Sequence, residues 1–119
     1  MNKEQALNGF WNSFNIPAYD EGSVPDDAVL PYITYSVGID RFDRPVSLSA
    51  QLWYKSTSWE DITLKSEEIA QRILDGGEMV GYDNGAIWIT TGTPFAQRIN
   101  IQNDTVKRIA INIEAEFIG

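Results

Sequence analysis

The chain has 119 residues, 43% of them apolar, and its 17 acidic residues outnumber nine basic ones for a formal charge of −8. That length fits one domain with a real core, and the acidic balance argues against a phosphate-tracking nucleic-acid binder or a protein that docks on anionic membranes. Histidine and cysteine are both absent, which removes the side chain best suited to proton transfer at neutral pH, the thiolate nucleophile and the usual zinc ligands.

The start, Met1-Asn2-Lys3-Glu4-Gln5-Ala6, is polar with no apolar segment behind it, so no signal peptide is expected. No apolar run approaches the ~20 residues of a membrane span. Residues 2–14 predict a short amphipathic helix, because Leu7, Phe10, Trp11 and Phe14 recur at i, i+3, i+4 and i+7. Asn2 can cap it and Pro17 forbids its continuation. Residues 18–31 read as an acidic loop with Asp20, Glu21, Asp26 and Asp27 and no basic residue; Gly22, Pro25 and Pro31 deny it regular structure. A loop of that length in a small domain is unusual and tends to be functional or mobile.

Strand patterns follow. Tyr32–Val37 is β-rich. In Val46–Lys55 the residues Val46, Leu48, Ala50, Leu52 and Tyr54 point one way, and Ser47, Ser49, Gln51, Trp53 and Lys55 the other. An antiparallel hairpin joined by Gly38–Pro45 is expected. Thr57-Ser58-Trp59-Glu60 has the form of a capping box, with Thr57 as cap and Glu60 reaching back. In the helix behind it Ile62, Ile69, Ala70, Ile73 and Leu74 recur at helical spacing, and the helix leaves through Gly76-Gly77. Residues 78–91 predict a second hairpin at Asp83-Asn84-Gly85, where Asn-Gly suits a turn of positive φ. The runs 95–101 and 106–118 close the chain. In the last, Ile109, Ile111, Ile113, Ala115 and Phe117 face one side; Arg108, Ala110, Asn112, Glu114 and Glu116 face the other. The whole predicts a single α+β domain over 1–119: a mainly antiparallel β-sheet with two α-helices packed on one face, in the order α-β-β-α-β-β-β-β.

Catalytic patterns are missing. The carboxylate pairs Asp26-Asp27 and Asp40 with Asp43 lie beside turn signals, where acids are solvated or capping, and nothing marks the cleft that paired-acid chemistry needs. Asp20-Glu21 with Asp26-Asp27 does not match an EF-hand loop. No Gly-x-Ser-x-Gly occurs, and no Gly-Lys-Ser/Thr follows Gly76-Gly77. No enzyme activity, cofactor or metal is therefore expected. The basic residues are scattered, although Arg98 and Arg108 on neighbouring runs can share a face. Trp11, Trp59 and Trp88 have core or helix-packing explanations. Trp53 stands on the polar side of its strand, so it is either an interface residue or is covered by the first helix.

Several of these segments resemble the tail-terminator (tail-completion) and minor capsid, head–tail joining proteins of long-tailed bacteriophages. They are Phe10-Trp11-Asn12, Ile16-Pro17-Ala18-Tyr19, the acidic Pro-containing loop, Pro31-Tyr32-Ile33-Thr34-Tyr35, Gln51-Leu52-Trp53-Tyr54, Thr57-Ser58-Trp59-Glu60 and the ending Ala115-Glu116-Phe117-Ile118. The resemblance implies a structural phage or prophage subunit with no catalytic residues, assembled in the bacterial host cytoplasm and located in the virion. It would form a homo-oligomeric ring, typically a hexamer, that stops tail-tube growth and meets the head connector. Trp53, Asp20, Glu21, Asp26 and Asp27 are then candidate interface residues, and Glu114 and Glu116 candidates for the channel wall, where an acidic surface would let DNA pass. Other neck or minor capsid roles, or a small acidic protein-binding module, are the alternatives.

Overall fold

The computed structural model describes residues 1–38, 45–74 and 76–119. Among them are helices α1 (Lys3–Asn12) and α2 (Glu60–Leu74) and strands β1 (Ala18–Asp20), β2 (Tyr32–Tyr35), β3 (Val46–Lys55), β4 (Glu78–Tyr82), β5 (Gly85–Ile99) and β6 (Val106–Ile118). The strands form one sheet in the order β1-β2-β3-β6-β5-β4, antiparallel at every pairing except β1 with β2, and both helices cover the same face. The α+β class, the mainly antiparallel sheet and the one-sided helical layer are as the sequence predicts.

The first helix starts as expected. The Asn2 side chain accepts from the Gln5 amide at 2.8 Å and the Gln5 side chain accepts from the Asn2 amide at 2.9 Å, a reciprocal cap. Leu7, Phe10, Trp11 and Phe14 are buried, with Phe10 edge-on to Trp11 and Phe14 at ring separations of 4.9 and 5.3 Å. The second helix begins differently. Its first intrahelical bond runs from the Thr63 amide to the Trp59 carbonyl, and serines build the entry: Ser58 Oγ accepts from the Glu60 amide and Ser56 Oγ from the Ser58 amide. Thr57 is therefore not the cap; serines two residues before each orphan amide satisfy it first. The exit is as predicted, with Gly76 and Gly77 at φ 82° and 87°.

Two boundaries differ from the sequence reading. Ala18–Asp20, expected to be loop, is a strand because Asn12 holds it. The Asn12 side chain accepts from the Ala18 amide at 2.9 Å and donates to the Ala18 carbonyl at 3.2 Å, while the Ile33 amide donates to Pro17. The runs expected as separate strands on either side of Thr93-Pro94 are a single strand, β5. A bulge between Thr91 and Ala96 shifts its register on β6 without ending the pairing. The β4–β5 hairpin is present, but among the described residues Asn15 is the one non-glycine with positive φ, so the turn is not the positive-φ type expected of Asn-Gly. Gly85 is needed for another reason: a Cβ there would run into the Ile118 carbonyl at the end of β6.

The core lies between the helices and the covered face. Ile62, Ile69 and Ile73 of α2 meet Ile87, Ile89, Ile109, Ile111 and Ile113, all nearly inaccessible to water. Tyr54, on the same face, is half-buried; its burial, with Asp61 and Glu68 nearby, pushes its phenol above the ordinary value.

Candidate assembly interface

Strand alternation that fills the core on one face lines up a second set of side chains on the other. Strand register places Tyr19, Thr34, Gln51, Ala110 and Gln97 in one row across that face, and Tyr32, Trp53, Arg108 and Ile99 in the next. Farther along, Glu114 stands between Ser47 and Thr90, and Trp88 stands between Glu116 and Met79. No described helix lies over this face.

The face is polar and internally bonded. The Trp53 indole N–H donates to Thr34 Oγ1 at 2.9 Å, and the Arg108 guanidinium sits 4.9 Å from the Trp53 ring while its Nε donates to Gln51 Oε1 at 2.8 Å. Ser47 Oγ donates to Glu114 Oε1 at 2.8 Å, and the Asn112 amide donates to the Pro94 carbonyl at 2.9 Å. Trp53 is half-buried among these partners and not beneath α1, which lies on the opposite face.

Of the candidate residues, the acidic loop and Trp53 share the β1-β2-β3 side. Tyr19 meets Tyr32 edge-on at 5.6 Å, and Tyr32 stands next to Trp53. The four acids of the loop are exposed, and the loop is tied by local turns. Asp20 Oδ1 accepts from the Gly22 amide, the Asp20 carbonyl accepts from Ser23, and the Pro25 carbonyl accepts from Ala28. Glu114 and Glu116 lie on the same face but six and eight residues along β6 from Arg108, about 20–26 Å away at ~3.3 Å per residue. Among the described residues no group of three or more acidic side chains converges as metal ligands would. Asp40, Asp43, Arg41 and Arg44 lie outside the described residues.

Three features were misread in the sequence. Trp88 is not a core residue: it is 39% exposed on the open face, with its indole N–H donating to the Gly76 carbonyl at 2.7 Å, while Ile87 and Ile89 turn inward. The signal was present, since period-2 alternation through Ile87-Trp88-Ile89 puts the tryptophan opposite the isoleucines. Arg98 and Arg108 do not share a face. Arg98 pairs with Ile109 and Arg108 with Ile99, one residue out of step, so Arg98 stacks on Trp59 at 4.8 Å and Arg108 on Trp53. Nor are all the cations scattered: Lys55, Arg98, Lys107 and Arg108 gather at one end of the sheet, where β3 ends and β6 begins, while Lys3, Lys65 and Arg72 lie on the helices.

The fold thus defines a class: a small α+β domain whose sheet is roofed by helices on one side and presents a polar, aromatic-studded face on the other. No family model and no curated protein matches the chain. Among solved structures, a chain in the virion of a native gene transfer agent particle has the same fold, with a TM-score of 0.66 at 11% identity over 86% of this chain and 78% of that one. At that identity the likeness speaks for the fold alone.

Proposed function

We propose that the protein is a structural subunit of a phage-like particle, and within it the tail terminator: a ring-forming subunit that ends tail-tube growth and joins the tail to the head connector. The observation that carries this reading is the fold shared, over most of both chains, with a chain of a gene transfer agent virion. The open sheet face supports it, since a one-layer sheet with an unroofed side is suited to packing against neighbours. In this reading Trp53 and the acids Asp20, Glu21, Asp26 and Asp27 face another subunit or the tube. Glu114 and Glu116, which resemblance alone would put on a channel wall, line a recess beside Trp88, and we assign them to a contact instead.

The experiment is to remove the chain from the particle's gene set and image the products. A terminator's absence leaves tubes of uncontrolled length that join no heads. Tails of normal length that fail only to join would make the protein a connector component. Complete particles would sink the structural reading.

A further inference from the structure

The open face carries opposite charges at its two ends. At one end Lys55 projects from β3 and Arg108 from β6, its guanidinium seated on Trp53. At the other, Glu114 and Glu116 line a cleft of about 340 Å³ with Trp88 and Pro45. The side chains of β3 and β6 between them on this face are neutral. The bond from the Trp88 indole to the Gly76 carbonyl fixes the ring as one wall of the cleft. Among the described residues no cation pairs with Glu114 or Glu116, and none pairs an acid with Lys55 or Arg108. An aromatic wall flanked by two carboxylates is the arrangement that recognises an ammonium or guanidinium group, by charge-assisted hydrogen bonds and by attraction to the ring face.

We propose that this cleft receives the basic end of a second copy of the chain, so that Lys55 and Arg108 of one subunit meet Trp88, Glu114 and Glu116 of the next. The two halves of the contact differ. Because both halves lie on one face, the contact can be made twice across a two-fold pair or repeated head-to-tail, and only the second closes a larger ring; the mass found by sedimentation separates the two. The inference rests on the ring-subunit reading and specifies the contact that reading requires.

The test uses complementary charge reversal, read by light scattering and sedimentation on the purified chain. Glu114→Lys with Glu116→Lys in one variant, and Lys55→Glu with Arg108→Glu in another, should each raise the dissociation constant for self-association by roughly tenfold or more. An equal mixture of the two should restore association, because every contact between unlike variants again joins opposite charges, which selects an alternating assembly. Added salt should weaken the native contact, as it screens exposed pairs. Near-UV circular dichroism reports whether each variant stays folded. If a reversal unfolds the chain, Glu114→Gln with Glu116→Gln removes the charge without adding bulk and should weaken association in the same direction. Reversals that leave association intact, or a folded mixture that does not reassociate, overturn the contact. So does a native chain that stays monomeric at its highest soluble concentration. The tail-length experiment judges the ring reading separately.

Discussion

Arg72 is the side chain that locks the two helices to the sheet, and replacing it should cost a measurable share of the stability. Its Nη2 donates to both Glu78 carboxylate oxygens at 2.7 and 2.8 Å, and its Nη1 donates to Ser13 Oγ at 2.7 Å. The guanidinium lies 4.3 Å from the Phe14 ring centre. One residue of α2 thus holds the exit of α1 and the start of β4. The Arg72–Glu78 pair is about a third exposed on the arginine side, so its attraction is partly screened. We take about 1 kcal/mol for the pair, about 0.5 for the ring contact and about 0.5–1 for the Ser13 bond, which gives ~2 kcal/mol for Arg72→Ala. For 119 residues the unfolding entropy is about 0.25 kcal/mol/K, so the melting temperature should fall by roughly 8 °C. Arg72→Lys keeps the charge but loses the fork and the planar stack, and should recover less than half of the loss. Calorimetry on the three proteins tests this. A fall of under ~2 °C for Arg72→Ala would show that the helices are held by their apolar faces alone.

Trp53→Asp should weaken self-association while leaving a folded chain about 1–2 kcal/mol less stable, because Thr34 loses its indole donor and Arg108 its ring; light scattering and a thermal melt read the two effects separately, and an unfolded variant would take Trp53 off the interface. Deleting Gly22 to Asp27 removes only exposed or half-buried turn residues between β1 and β2 and should spare the fold but damage tail assembly; normal tails on phage carrying the deletion would remove the acidic loop from function. Alkaline pH should destabilise the protein through Tyr54. Its folded phenol titrates above the unfolded value of 10.0, so its contribution is complete below pH 10.0 and is lost as pH rises through the folded value. Tyr54→Phe should flatten that alkaline decline in urea melts, and an unchanged slope would locate it elsewhere.

What the sequence disclosed is what local rules govern. The apolar spacing of Leu7, Phe10, Trp11 and Phe14, the alternation through β3 and β6, and the glycine exit of α2 all follow from nearest-neighbour geometry, and all are in the structure. What it withheld depends on distant partners. Ala18–Asp20 is a strand because Asn12 and Ile33 bind it, which no pattern within three residues can announce. The single β5 is not legible as one strand, because a bulge between Thr91 and Ala96 carries the pairing past the gap between the two apolar runs. The candidate site was legible in part. Trp53 stood out by its alternation, but the gathering of cations at one end appears only when β3, β5 and β6 are laid in register.

The bonds within the open face have a kinetic consequence. Trp53 is already satisfied by Thr34, Gln51 by Arg108 and Glu114 by Ser47, so exposing this face to water leaves few groups seeking a partner. At low concentration two free subunits that collide gain little from a single touch and separate again, whereas a concentrated solution drives the same contact. A surface that holds several subunits together at once would lower the concentration needed, because several weak contacts then form as a set. A chain built this way is dispersed when dilute and associates as its concentration rises or as such a surface gathers it.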